Sequence, residues 1–174
     1  MYHITTHAVE NSWLFHDSGD YGVRLSQLAE EVRRSAMRVH AYCLMGNHEH
    51  LLLSVDDDRL ATVMQRLNRR YAGRFNHRYG RRGRLYWGPY DSSPVLSNRY
   101  LVELIRYLAL NPERDNFGRA ETYRWSSYAG LIGIMKPLWF VDQRPLLDAV
   151  GGGPDARRRI ARLVDEGRLR RRGA

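Results

Sequence analysis

The 174 residues carry 28 basic against 19 acidic side chains, and 43% of them are apolar. That length and apolarity suffice to bury a core, which excludes a disordered polymer, while a single cysteine excludes a disulfide framework and fits a reducing cytoplasm. The start of the chain lacks a basic-then-apolar leader pattern, no apolar run approaches the ~20 residues of a membrane span, and the net charge of +9 points to a polyanionic partner.

Met1 to Val9 reads as a first strand, with Tyr2, Ile4 and Thr6 alternating against His3, Thr5 and His7. After a polar loop containing Asn11, Asp17 and Gly19, the residues Leu25, Leu28, Ala29, Val32 and Ala36 recur at helical spacing, with Asp20 as the expected cap. Val39–Met45 and His48–Val55 follow as two apolar runs around a Gly46-Asn47 turn signal, the pattern of a β-hairpin. Side chains alternate along a strand, so His48 and His50 share one face roughly 7 Å apart and can converge on one cation. Glu49 points to the other face, where a carboxylate must find a partner such as an arginine or reach the surface.

Asp56-Asp57-Asp58 reads as a helix start capped by carboxylates. The helix that follows buries Leu60, Val63, Met64, Leu67, Tyr71 and Phe75. Its other faces belong to a segment, residues 59–90, that holds nine arginines and no acid: Arg59, Arg66, Arg69, Arg70, Arg74, Arg78, Arg81, Arg82 and Arg84. With no acid in the segment to pair with, these predict a surface that tracks phosphates. Leu85–Val95 is expected to be a strand bent at Gly88-Pro89; it brings Tyr86 beside the arginines as a base-stacking candidate, whereas Trp87 suits either stacking or the sheet core.

Ser97 or Asn98 starts a helix with core residues Leu101, Leu104, Ile105 and Leu108. Tyr107 and Asn111 lie one turn apart on its flank, and Pro112 predicts that the helix ends at Asn111. Tyr100 is the alternative tyrosine, but the spacing to Asn111 favours Tyr107. Short helices are expected from Tyr123–Tyr128 and within Phe140–Val150. Gly151-Gly152-Gly153-Pro154 divides a domain, residues 1–150, from a linker and basic tail, residues 151–174, in which Ile160, Leu163 and Val164 predict an amphipathic helix.

Three motifs in this order carry a resemblance. Tyr42–Leu53 resembles the His-x-His strand of the HUH single-strand DNA endonucleases. Arg106-Tyr107-Leu108-Ala109-Leu110-Asn111-Pro112 resembles the tyrosine helix of their single-tyrosine transposases, and Trp125-Ser126-Ser127-Tyr128 matches the group associated with repetitive extragenic palindromes. Two departures are Glu49, where the family usually has an apolar residue, and Pro89-Tyr90, where it commonly has Arg-Phe. The resemblance implies an α+β fold, an antiparallel sheet of four to five strands in a ferredoxin- or RRM-like arrangement with packed helices. It further implies Mg²⁺ or Mn²⁺ held by His48, His50 and Asn111, and Tyr107 as a nucleophile that forms a 5′-phosphotyrosine. The substrate would be single-stranded DNA near a hairpin, nicked and rejoined in transposition or a domesticated derivative, by a cytoplasmic, nucleoid-associated monomer or homodimer. Two other readings share these residues: an inactive hairpin DNA- or RNA-binding module, and a metal-dependent hydrolase in which Tyr107 is structural.

Overall fold

The alternation along the first strand decides which helices cover which side of the sheet. The computed structural model describes residues 1–10 and 12–172; Asn11 of the predicted loop and the last two residues of the predicted tail lie outside the described residues. Along the chain run β1 (Tyr2–His7), α1 (Ser18–Arg34), β2 (Arg38–Leu44), β3 (His48–Ser54), α2 (Leu60–Arg78), β4 (Asp91–Pro94), α3 (Asn98–Arg114), α4 (Tyr128–Leu131), α5 (Arg144–Ala149) and α6 (Ala156–Arg172). The sheet is antiparallel in the order β2-β3-β1-β4, the expected α+β class with four strands.

In the β1–β3 register Thr5 faces His50 and His7 faces His48, so His3, Thr5, His7, His48, His50 and Leu52 share one face. Ile4, Leu51 and Leu53 point the other way and pack with Leu28 of α1 and with Val63, Leu67 and Phe75 of α2. Leu52 and Ala41 pack beneath Leu104, Ile105 and Leu108 of α3, Leu146 of α5 and Ile160 and Val164 of α6. Each buried leucine contributes roughly 1.5–3 kcal/mol. The result is a sheet between two helical layers, with α1 and α2 on the Glu49 side and α3, α5 and α6 on the histidine side.

Several elements differ from expectation. The helix α1 starts earlier, with Asp17 as its cap accepting from the Gly19 and Asp20 amides. The acids before α2 cap no amide through their side chains; Asp57–Arg59 form a 3-10 turn, and Asp57 accepts from the Tyr2 hydroxyl at 2.6 Å. The bent strand resolves into two pieces: Leu85–Trp87 pairs beyond the end of β1, and the chain resumes as β4 after Pro89. Trp125–Ser127 runs along β2 as a partial fifth strand, with Ser127 both accepting from the Tyr42 amide and donating to its carbonyl. Pro112 does not end α3 at Asn111. The helix runs on to Arg114, with the Phe117 amide bonding the Pro112 carbonyl, and closes at Asn116 in the left-handed region (φ 60°). The segment after the glycine run forms α6, which packs on α3, with Arg168 bonding Glu113 and Glu121 at 2.6 Å each.

Candidate histidine–tyrosine site

Two histidines from β3 and two from β1 meet on the open end of the sheet face. The His48 and His50 rings lie 5.0 Å apart and nearly perpendicular. His3 stacks on His50 at 5.2 Å, and His7 stacks on His48 at 5.4 Å. In both β3 histidines Nδ1 is engaged; Nε2 of His50 has no partner, whereas His48 also reaches Asp115 and Asn111. His48 Nδ1 meets Asn47 Oδ1 at 2.9 Å; since that oxygen only accepts, Nδ1 carries the proton and Nε2 the lone pair. His50 Nδ1 lies 3.1 Å from His3 Nε2 and 3.2 Å from Thr5 Oγ1, while its Nε2 is buried without a partner. Burial pushes His3 and His48 below the ordinary imidazole value, His48 despite the opposing pull of Asp115, whose carboxylate is 3.9 Å from Nε2. His50 falls to about 2, first through burial and then through the neighbouring histidines and Arg114. All three are therefore neutral and able to donate lone pairs at neutral pH.

The third side of the site comes from α3. The Tyr107 ring meets His50 edge-on at 5.3 Å and His3 at 6.0 Å, with the Arg114 guanidinium 4.8 Å above it. It is thus Tyr107, not Tyr100, that the helix delivers to the histidines, and 37% of it stays accessible to a substrate. One turn on, Asn111 is buried and donates through Nδ2 to the Tyr107 carbonyl at 3.0 Å, and its side chain also reaches His48. Among the described residues no three His, Cys, Asp or Glu side chains form a metal-holding group. The expected set of two imidazole nitrogens and one amide oxygen includes only two residues of those types. The unpartnered His50 Nε2 fits such a set, because a buried polar atom without a partner is costly until something binds it. A cleft of about 520 Å³ lined by His7, Trp13 and Asn47 opens beside this group.

The basic segment is distributed differently from expectation. Arg66 forms a two-pronged pair with Glu31, Arg70 bonds Glu30 at 2.6 Å, Arg78 bonds Asp17 and Asp20, and Arg59 lies 3.9 Å from Asp56. The segment lacks acids of its own, but α1 packs beside α2 and supplies most of them. Arg81 is half-buried over Phe75. Arg69, Arg74, Arg82 and Arg84 stand exposed without such partners among the described residues. Tyr86, expected to stack on bases, instead packs on the core with its hydroxyl buried near Arg24 and Glu49. Trp87 is 66% exposed, which settles it as a surface aromatic rather than a core one. The helix α2 lies on the sheet side away from the histidines, but the chain after it returns to them, with the Trp87 amide donating to the His7 carbonyl at 3.1 Å.

His3, His7, Arg114 and Asp115 join the site without being among the residues expected there. For the two histidines the signal was present, since the polar members of the first strand alternate in step with His48 and His50. For Arg114 and Asp115 it was hidden by the expectation that Pro112 stops the helix. The histidines of β3 and the tyrosine of α3 thus meet on one face of the sheet. The chain belongs to the IS200-like transposase family, whose family model matches residues 1–104, a span that includes both β3 histidines and stops short of Tyr107. Among solved structures, a REP-associated tyrosine transposase bound to a REP hairpin has the same fold, with a TM-score of 0.65 over 82% of this chain and 86% of that one at 13% identity. No curated protein matches the chain.

Proposed function

We propose that the chain nicks and rejoins single-stranded DNA next to a hairpin, with Tyr107 as the nucleophile. The observation that carries this is the meeting of the Tyr107 ring with the His50 ring across the face that also holds the open nitrogen of His50 and the buried Asn111. His48 and His50 through Nε2 and Asn111 through Oδ1 would hold Mg²⁺ or Mn²⁺. When bound, such an ion polarises the scissile phosphate and offsets its charge. The Tyr107 oxygen attacks phosphorus and loses its proton, the bond to the 3′ oxygen breaks, and that oxygen leaves as a 3′-hydroxyl. The 5′ end stays on the tyrosine as a phosphodiester, so a second 3′-hydroxyl can reverse the step without another energy source. Arg114, over the Tyr107 ring, is placed to favour the phenolate and the incoming phosphate.

Hairpin DNA as the partner is supported by the fold shared with a hairpin-bound transposase and by the exposed arginines Arg69, Arg74, Arg82 and Arg84. Of these, Arg82 and Arg84 precede the stretch whose Trp87 amide bonds the His7 carbonyl. The test is incubation with hairpin-bearing single-strand oligonucleotides and Mn²⁺, scored for a covalent protein–DNA adduct on a denaturing gel. Wild type should form it and Tyr107→Phe should not, while hairpin affinity stays within about twofold. Binding without any adduct would select the inactive module, and cleavage without attachment the hydrolase.

A further inference from the structure

The metal reading assigns no role to His3, yet this imidazole makes the closest side-chain contact that His50 has, 3.1 Å from His3 Nε2 to His50 Nδ1. The pair can share its proton in two ways. If His3 donates, His50 Nδ1 accepts and the His50 proton sits on Nε2, buried and without any acceptor. If His50 donates, His3 Nε2 accepts, Thr5 Oγ1 at 3.2 Å offers a second acceptor, and Nε2 keeps its lone pair. An unmet buried donor costs about 1–3 kcal/mol. An open lone pair costs less once a cation occupies it. The neighbouring histidine points the same way, because Asn47 Oδ1 fixes His48 with its proton on Nδ1.

We infer that His3 is a positioning residue that accepts the His50 Nδ1 proton, fixing the tautomer and ring angle in which His50 Nε2 serves as a metal donor. This rests on the metal reading above and deepens it. Register makes the arrangement possible. On β1, His3 is paired with Leu52 and Thr5 with His50, so two successive residues of one strand face bracket the His50 ring. Stacking of His3 on His50 and the edge of Tyr107 against both rings leave His50 little freedom to turn. His3 thus stands toward His50 as Asn47 stands toward His48, each engaging the Nδ1 of a β3 histidine. Partners of this kind are worth about 10- to 100-fold in metal affinity.

The test reads metal affinity and tautomer rather than turnover. Mn²⁺ binding is measured by calorimetry and by loss of the free-ion paramagnetic signal, and the imidazole nitrogens are assigned by ¹⁵N–¹H correlation on the metal-free protein. Wild type should show the His50 proton on Nδ1. His3→Phe keeps a stacked ring but has no acceptor, and should weaken Mn²⁺ binding about 10-fold; adding Thr5→Val removes the second acceptor and should take the loss toward about 100-fold. His3→Gln, whose amide oxygen can accept, should restore binding to within about threefold, and hairpin affinity without metal should not move in any variant. A His50 proton on Nε2 in wild type, or wild-type Mn²⁺ affinity in the double variant, overturns the inference while leaving the metal reading intact. Absence of Mn²⁺ binding by wild type overturns both. Should the phenylalanine variant fail to fold, the wild-type tautomer and His3→Gln still decide.

Discussion

At the scale of single residues, Glu49 shows how a departure from a family's pattern can be absorbed by one partner. Between two histidines an acid looks like a disabled site, but strand alternation turns it to the opposite face, where it meets Arg24 of α1. Both side chains are fully buried, joined Nε to Oε2 at 2.9 Å and Nη2 to Oε1, with Asn68 Oδ1 also accepting from Nη2 at 2.9 Å. An ion pair inside a core adds little over apolar packing, but breaking it strands a charge. Glu49→Ala should therefore lower unfolding free energy by about 3–5 kcal/mol, and the paired change Glu49→Leu with Arg24→Met should recover most of it. Chemical denaturation of the two variants checks this. A double variant as unstable as the single one would show that the pair does more than satisfy itself. The sequence raised the need for a partner at Glu49. It could not name Arg24, because that choice depends on how α1 lies across β3.

At the scale of elements, what could be read in advance was whatever depends on periodicity within one segment. The buried stripe of α2, the core face of α3 and the hairpin around the histidines all follow from spacing of 3.6 or 2 residues. What could not be read was set by contacts between segments. Gly46 looked like a turn residue, yet its backbone is outside the left-handed region; a Cβ there would fall inside the Trp13 ring, which lies against the hairpin tip. The arginines of α2 looked unpaired because their acids are on α1. That packing divides them into two groups with different expected behaviour. Arg69→Ala and Arg74→Ala should each weaken hairpin binding and reduce the slope of log affinity against log salt by about 0.7–0.9, the share of one phosphate contact. Arg66→Ala, which strips a buried Glu31 of its partner, should lower the melting temperature and leave that slope unchanged. Binding isotherms at several salt concentrations separate the groups; equal slopes for all three variants would mean that α2 is not a phosphate track.

At the scale of the whole molecule, the same burial that keeps the histidines neutral makes the fold sensitive to acid. His3, His40, His48 and His50 all lie below the ordinary imidazole value of 6.5, chiefly because burial disfavours their charged form. Unfolded, each regains that value, so below about 6.5 the unfolded chain binds protons that the folded chain refuses. Stability is then complete above that pH and falls as the pH drops, each such histidine adding a slope of up to about 1.4 kcal/mol per pH unit. The carboxylates act in a second, lower window. Arginine partners hold Glu31 and Asp142 below their usual range, and Arg168 does the same for Glu113 and Glu121 against the opposing effect of burial. Their contribution is present above the ordinary carboxylate values and disappears only as the pH falls through the depressed ones. Denaturation between pH 8 and pH 4 should thus show a plateau down to about 6.5 and a decline beginning there, before any carboxylate is protonated. Replacing His50 with glutamine, which carries no titrating group, should flatten the upper part of that decline, and His40→Gln should do the same from a position outside the site. The carboxylate-driven loss should survive in both. A divalent ion that binds the neutral imidazoles of the folded state should deepen the dependence by raising the plateau more than the acid end. A decline that starts only below pH 4.5 in the wild type would mean that the histidines titrate freely in the folded chain, and that burial does not hold their lone pairs open.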